Sequence, residues 1–125
     1  VYEAFPDKNI FFTEGCAESF NATRYNAWRL GEEYGRSMIN DFNNGTVGWT
    51  DWNILLDEKG GPNHVGNFCF APIHGNIQTG QLIYTNEYYY IGHFSKFIKT
   101  RMKESTLYYE FVETYLIKQP KKHLI

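Results

Sequence analysis

An apolar run, Ile10-Phe11-Phe12, ends abruptly at Thr13-Glu14-Gly15-Cys16. This sets an ionisable carboxyl directly off the end of an apolar strand. In parallel α/β architectures the working residues stand at the C-terminal ends of strands, where the βα loops begin. A carboxylate there can act as a nucleophile or move a proton, and Gly15 behind it lets backbone come close. Taken alone, Glu14 reads more simply as a solvated loop acid.

Trp49-Thr50-Asp51-Trp52-Asn53 mixes aromatic and polar groups where a core strand would read Val, Ile or Leu. By strand alternation Trp49, Asp51 and Asn53 share one side, with Thr50 and Trp52 on the other. Two chemistries fit equally well. One is a pair of core tryptophans with Asp51 capping or pairing nearby; the other is a sugar-binding rim, with an indole as apolar wall and polar groups for hydroxyls. In the next cluster, Gly60 to Phe68, glycines 60, 61 and 66 surround Pro62, and Asn63 and Asn67 are available for polar contacts. It reads as a structural turn or as a ligand loop.

Other chemistries find little support. Histidines 64, 74, 93 and 123 lack ligand-like spacing, and none is read as metal-binding; His93 reads as a packing histidine. No Ser–His–Asp or Cys–His arrangement and no phosphate-cradling glycine motif is present. Cys16 and Cys69 are too few for a disulfide framework; a single bridge between them is the less expected of two readings, the other being that they are unbridged. A net charge of −2 argues against a nucleic-acid partner, which wants a basic face.

The elements that must carry these residues follow from periodicity. Asn9–Phe12 reads as a short buried strand and Thr13 to Asn21 as a polar loop. A helix is expected from about Tyr25 to Phe42, because Trp28, Leu30, Tyr34, Met38, Ile39 and Phe42 recur at three- and four-residue steps. Asn43-Asn44-Gly45-Thr46 stops it. Val47 to about Leu56 reads as a second buried strand, which gives a βαβ unit and a parallel pair. After the Asp57–Asn63 loop come two short extended segments around Thr79-Gly80, then a helix over Ile91–Ile98 that Asn86–Tyr90 leads into. Two parallel strands do not make a free-standing domain, so the unit reads as a piece of a larger α/β domain entered in mid-course.

The chain has 125 residues, 42% hydrophobic and 18% aromatic, with ten Tyr, ten Phe and three Trp. Such density suits a packed core and sugar platforms alike. From Lys99 onward six basic residues face three acidic ones, +3, leaving −5 on the first 98 residues. That shift marks a boundary between 1–98 and 99–125. No signal or transit peptide is read, and no apolar run approaches the ~20 residues of a membrane span. Asn21-Ala22-Thr23 and Asn44-Gly45-Thr46 are sequons, candidate glycosylation sites at Asn21 and Asn44 if the protein is secretory.

"FFTEGC", "YNAWRLGEEYGRSMINDFNN", "VGWTDWNILLDEKGGPNHVGNF", "API" and "YIGHFSKFI" stand in an order and spacing that resemble the glucosylceramidases of glycoside hydrolase family thirty, over roughly residues 9 to 98. The resemblance implies an α/β fold, a partial (β/α)8 TIM barrel running from the seventh strand to the start of the eighth helix. It implies retaining hydrolysis of the β-glucosidic bond of glucosylceramide, giving glucose and ceramide. The work would be done by two carboxyl groups roughly 5 Å apart, without metal or cofactor, in the lysosome. Partners would be the glycosphingolipid, the membrane surface that presents it and a lipid activator. By the same resemblance Glu14 is the nucleophile, Trp52 borders the glucose and Asn67 lines the pocket mouth. Asp51 and Asn53 become scaffold, and Cys16 a neighbouring free thiol.

The sequence also departs from the family. The acid/base glutamate of an Asn-Glu-Pro motif is absent from these residues, and Ile73-His74-Gly75 stands where an aspartate follows a Pro-Ile-Ile run. The tail 99–125 matches nothing in the family. An altered exon or gene end is the expectation for it, with a lineage-specific tail carrying an amphipathic helix over Leu107–Ile117 as the alternative. The rival functional readings are a catalytically inactive sugar- or lipid-binding fragment and a related β-1,6-glucanase or xylanase.

Overall fold

The computed structural model describes residue 1 and residues 3–98. The expectations for the tail lie outside the described residues. The chain divides into two compact units, Val1–His93 and Phe94–Ile125. The first holds every strand found among the described residues. Of the second, Phe94–Ile98 is described, and there the Ile98 N–H donates to the Phe94 carbonyl at 2.8 Å.

Strand β1 (Ile10–Phe12) pairs in parallel with β2 (Thr46–Trp49), matching Phe11 to Gly48 and Phe12 to Trp49. Helix α1 (Trp28–Asn43) makes the crossover, after a single 3-10 turn at Ala22–Arg24. The expected βαβ unit is therefore present. Leu30, Tyr34 and Met38 recur at four-residue steps and form the buried stripe of α1 together with Gly31 and Gly35. The two glycines are needed for packing: the ring of Tyr90 lies against both, where a β-carbon would sit. Trp28 meets the same ring edge-on at 5.7 Å. The helix stops at Asn44, whose N–H reaches back to the Asn40 and Asp41 carbonyls, and Gly45 follows at φ +87°.

The single strand expected from Val47 to Leu56 is corrected. It is two strands in two different sheets: β2 ends at Trp49, and β3 (Leu55–Asp57) begins a second sheet in the order β3-β4-β5. Thr50 to Ile54 is irregular, so the alternation assigned to Trp49, Asp51 and Asn53 does not apply. The physical reason lies in the ladder itself. The Thr50 N–H on the Phe12 carbonyl at 2.9 Å is the last bond in step with the β1–β2 ladder. The next, from the Trp52 N–H to the Gly15 carbonyl at 2.7 Å, advances three residues on the β1 side against two on this one, so the register is lost. Strand β1 is also less buried than expected, since Phe11 is 60% exposed.

Strand β4 (Ile73–Gly75) runs parallel to β3 and antiparallel to β5 (Leu82–Tyr84). The hairpin turns through Asn76–Gly80, where Asn76 Oδ1 accepts the N–H groups of Gln78 and Thr79 and Gly80 adopts φ +71°. Helix α2 (Asn86–Phe97) starts five residues earlier than the helix expected from the sequence. Buried Thr85 just before it donates its hydroxyl to the Ala71 carbonyl at 2.9 Å. No helix among the described residues is long and apolar enough to cross a membrane.

Candidate active site

Glu14 stands two residues beyond the end of β1, exposed, in the loop at the C-terminal end of the parallel pair. The two inter-loop hydrogen bonds described above bracket it, one at Phe12 and one at Gly15. Its backbone is thus held between the ends of two strands, with the carboxyl open to solvent. Beneath it Phe12 and Trp49 stack with ring centroids 4.7 Å apart and planes at 10°. Gly15 caps that stack so closely that a β-carbon there would lie 3.0 Å from both rings. Any larger residue after the glutamate would need the two rings to give by a few tenths of an ångström.

The two tryptophans have separate roles. Trp49 belongs to the interior: its indole N–H donates to Asp41 on α1 at 2.9 Å, and Tyr34 meets it edge-on. Trp52 is 53% exposed, and its backbone is bonded to Gly15, next to Glu14. Of the two indoles in the WTDWN cluster, that of Trp52 is the exposed one. Asp51 between them is half-buried and accepts a hydrogen bond from the Tyr34 phenol at 2.9 Å. Burial raises its pKa more than the bonds from Tyr34 and from the Trp52 backbone lower it. Tyr34 is also raised, by burial first and then by the nearby Glu87 and Asp51 charges.

Asn67 is not joined to Glu14 directly. It lies exposed on the glycine-rich loop after β3, where its amide donates to Glu18 Oε1, on the Glu14 loop, at 2.9 Å. The two loops are joined by a short antiparallel pairing. Glu18 bridges Cys69, the Phe70 N–H bonds to the Ala17 carbonyl at 2.7 Å, and the Phe20 N–H bonds to the Phe68 carbonyl at 3.0 Å. Cys16 and Cys69 form a disulfide across this pairing, with Cα atoms 6.5 Å apart. That corrects the expectation of unbridged cysteines and of a free thiol at Cys16. The cysteines are distant in sequence, and only the antiparallel run of two loops brings them together.

The glycine-rich loop is self-supporting. Asp57 Oδ1 accepts the N–H groups of Lys59 and Gly61, Asn63 Oδ1 accepts that of Gly66, and Gly60 and Gly66 take positive φ. Asn63 is consumed by its own turn, which leaves Asn67 as the polar group directed at the neighbouring loop. His74 has no exposure. Its Nε2 accepts the Ala71 N–H at 3.0 Å, so Nδ1 carries the proton and donates to the Asp57 carbonyl at 2.7 Å. Burial lowers its pKa and keeps it neutral. It locks β4 to the loop after β3. His93, read as a packing histidine, contacts the Tyr89 carbonyl one turn back along α2.

One group escaped the sequence reading altogether. Glu87, in the first turn of α2, is 0% exposed, and both carboxyl oxygens lack a hydrogen-bond partner. Burial above all, then Asp51 and Glu33, pushes its pKa up to about 8. The tyrosine-rich stretch around it looked like a lead-in to a helix, and nothing in that pattern marks a buried acid. Among the described residues no group of three or more His, Cys, Asp or Glu is arranged to hold a metal ion.

Residues 1–98 match the TIM-barrel domain of glycosyl hydrolase family 30. The lysosomal acid glucosylceramidase of Mus musculus is 37% identical over 101 residues, 78% of this chain and 20% of that protein. The putative glucosylceramidase 3 of Caenorhabditis elegans is 44% identical over 96 residues, 74% of this chain and 18% of its own length. Among solved structures, SrfJ from Salmonella typhimurium superposes with a TM-score of 0.71 at 37% identity, covering 79% of this chain and 22% of that one. The endo-β1,6-glucanase BT3312 gives 0.65 at 28% identity, covering 79% and 23%. This chain thus spans about a fifth of the length of the curated relatives it matches. By a match that runs through every described element, the chain belongs to glycosyl hydrolase family 30 and carries part of its TIM-barrel domain.

Proposed function

We propose that this chain is the closing part of the barrel of a retaining β-glucosidase, from the seventh strand into the eighth helix, and that Glu14 is its nucleophile. The observation that carries the reading is the position of Glu14. It is exposed at the C-terminal end of a parallel strand, and the Trp52 N–H bonded to the Gly15 carbonyl holds the backbone of a residue with an exposed indole next to it. Glu14 attacks the anomeric carbon and forms a glycosyl-enzyme ester. A second carboxyl, which the residues of this chain do not supply, first protonates the departing oxygen and then deprotonates the incoming water. Trp52 gives the sugar an apolar wall, and Asn67, held by Glu18, offers an amide to a hydroxyl at the mouth. None of these roles needs a metal or cofactor.

Glucosylceramide is the substrate we propose, on the strength of the mouse and nematode relatives named for it, and a lysosomal location goes with it. The substrate's ceramide would bring the enzyme to a membrane surface, with a lipid activator as a possible helper. The Cys16–Cys69 disulfide supports passage through an oxidising compartment. Exposed Asn21 is a good glycan acceptor, because its Oδ1 takes the Thr23 N–H and hydroxyl while its Nδ2 stays outside that turn. The likeness to an endo-β1,6-glucanase favours a second reading, a β-1,6-glucanase with the same nucleophile. The family match ends at residue 98, and residues 99–125 are proposed to be a tail separate in sequence from the family domain.

The test uses the complete enzyme that contains this segment. A 2-deoxy-2-fluoroglucoside should label Glu14, and Glu14→Gln should lose roughly 10³-fold or more in kcat, the scale of removing a reacting group. Glucosylceramide should be hydrolysed in preference to β-1,6-glucan. Label on another carboxylate would overturn the assignment, and turnover of β-1,6-glucan alone would establish the second reading.

A further inference from the structure

The loop that carries Glu14 is pinned in two ways. On the strand side, Thr50 and Trp52 donate to the carbonyls of Phe12 and Gly15. On the other side, one residue past Gly15, Cys16 is bonded covalently to Cys69. Cys69 is itself anchored: it is 4% exposed, packs in a core cluster with Leu56 and Ala71, and its N–H donates to the Gly60 carbonyl at 3.0 Å. Gly60 takes φ +80° against the Phe20 ring and the Cys69 carbonyl, so this anchor has little freedom to shift. The Cys69 segment also begins just after Asn67 and bonds the Ala17 and Glu18 stretch.

Two residues span at most about 7 Å of extended chain, so whatever fixes Cys16 also limits Glu14. A displaced carboxylate loses rate steeply, because an error of about 1 Å in a reacting group can cost 10²-fold. We propose that the Cys16–Cys69 disulfide is a positioning element for the nucleophile. It sets the depth and direction of Glu14 against the loop that carries Asn67, in addition to any part in stability. The inference rests on Glu14 being the nucleophile.

The experiment compares wild type, Glu14→Gln, Cys69→Val and the double variant Cys16→Ala/Cys69→Val in the complete enzyme. Valine fills the volume of the buried thiol without the bond. Wild type and the cysteine variants are titrated by mechanism-based labelling so that kcat refers to folded sites, and Glu14→Gln, which cannot take the label, is normalised to folded protein. Peptide mapping without reductant should recover Cys16 and Cys69 joined. Cys69→Val should lower kcat roughly ten- to a hundred-fold with KM within about two-fold of wild type. The double variant should fall no further, since the two sulfurs act as one bond. Should the valine variants fail to fold, reduction of native enzyme by a dithiol gives the same comparison. Two electrons and two protons pass to the cysteines, the dithiol closes to its own cyclic disulfide, and reoxidation should restore kcat. Free thiols in the native protein, or an unchanged kcat in Cys69→Val with only a lower Tm, would overturn the positioning role. An active Glu14→Gln would instead overturn the nucleophile assignment, whatever the cysteines do.

Discussion

The phenol of Tyr34, in the middle of α1, donates to Asp51 Oδ1 at 2.9 Å, in the loop directly after β2. This single bond ties the crossover helix to the residue that precedes Trp52. Both partners lie on the path from core to candidate site.

Tyr34→Phe should therefore do more than remove a hydroxyl. It leaves a half-buried carboxyl short of a donor, which costs about 1–3 kcal/mol, so Tm should fall by several degrees. Asp51 already sits above the usual carboxylate range, and loss of the bond moves it further up. Asp51→Asn, which keeps an acceptor oxygen for the phenol, should be milder, and thermal melts of the two variants check the order.

Glu87 predicts a pH dependence with a definite sign. Its folded pKa is raised from 4.5 to about 8. Between those values the native state holds a proton that the unfolded state has released, so stability falls as pH rises through the window. The full span is roughly 4–5 kcal/mol by linkage. Denaturant midpoints should fall from pH 5 to pH 8, and Glu87→Gln should flatten that slope.

His74 works in the opposite direction. Its folded pKa is lowered, so below the unfolded value of 6.5 the unfolded state takes up a proton that the native state refuses, and stability falls as pH drops. An NMR spectrum of the imidazole should show the neutral ring protonated at Nδ1 at neutral pH. His74→Phe should cost about 2–5 kcal/mol, because it strands the Ala71 N–H and the Asp57 carbonyl together.

Gly15→Ala tests the packing beside Glu14, the proposed nucleophile. The added β-carbon meets the Phe12 and Trp49 rings at 3.0 Å, so rings or backbone must move. A fall in kcat of roughly ten-fold or more, with a smaller change in KM, is the expected result in the complete enzyme.

The 125-residue chain alone should not turn over a fluorogenic β-glucoside, since retaining hydrolysis needs two carboxyls and the proposed mechanism draws only Glu14 from these residues. Activity above buffer in purified chain, lost in Glu14→Gln, would show that a second acid lies within these residues.

The βαβ unit was legible because its parts are local. The four-residue rhythm of Leu30, Tyr34 and Met38 and the stop at Asn44-Gly45 need no knowledge of the rest of the chain. The end of β2 at Trp49 was not, because Val47 to Leu56 stays apolar enough to read as one strand while hydrogen bonds from the neighbouring loop pull it out of register. Glu14 and Trp52 were visible as types and positions. Their juxtaposition depends on two inter-loop bonds that no spacing encodes. Cys69 and Glu87 escaped for the same reason: what matters about each is a neighbour from far along the sequence.

The bond between Cys16 and Cys69 has a consequence for the chain before it folds. It spans 53 residues, so α1, β2 and β3 all lie within one covalent ring. By the chain-entropy relation a ring of that size removes about 4 kcal/mol of freedom from the disordered ensemble. The same ring outlasts a cut. The segment from Asn63 to Phe68 is exposed throughout and is the natural place for a protease to nick. A single cleavage there would leave the two pieces covalently joined, with the Glu14 loop and Cys69 still on one molecule.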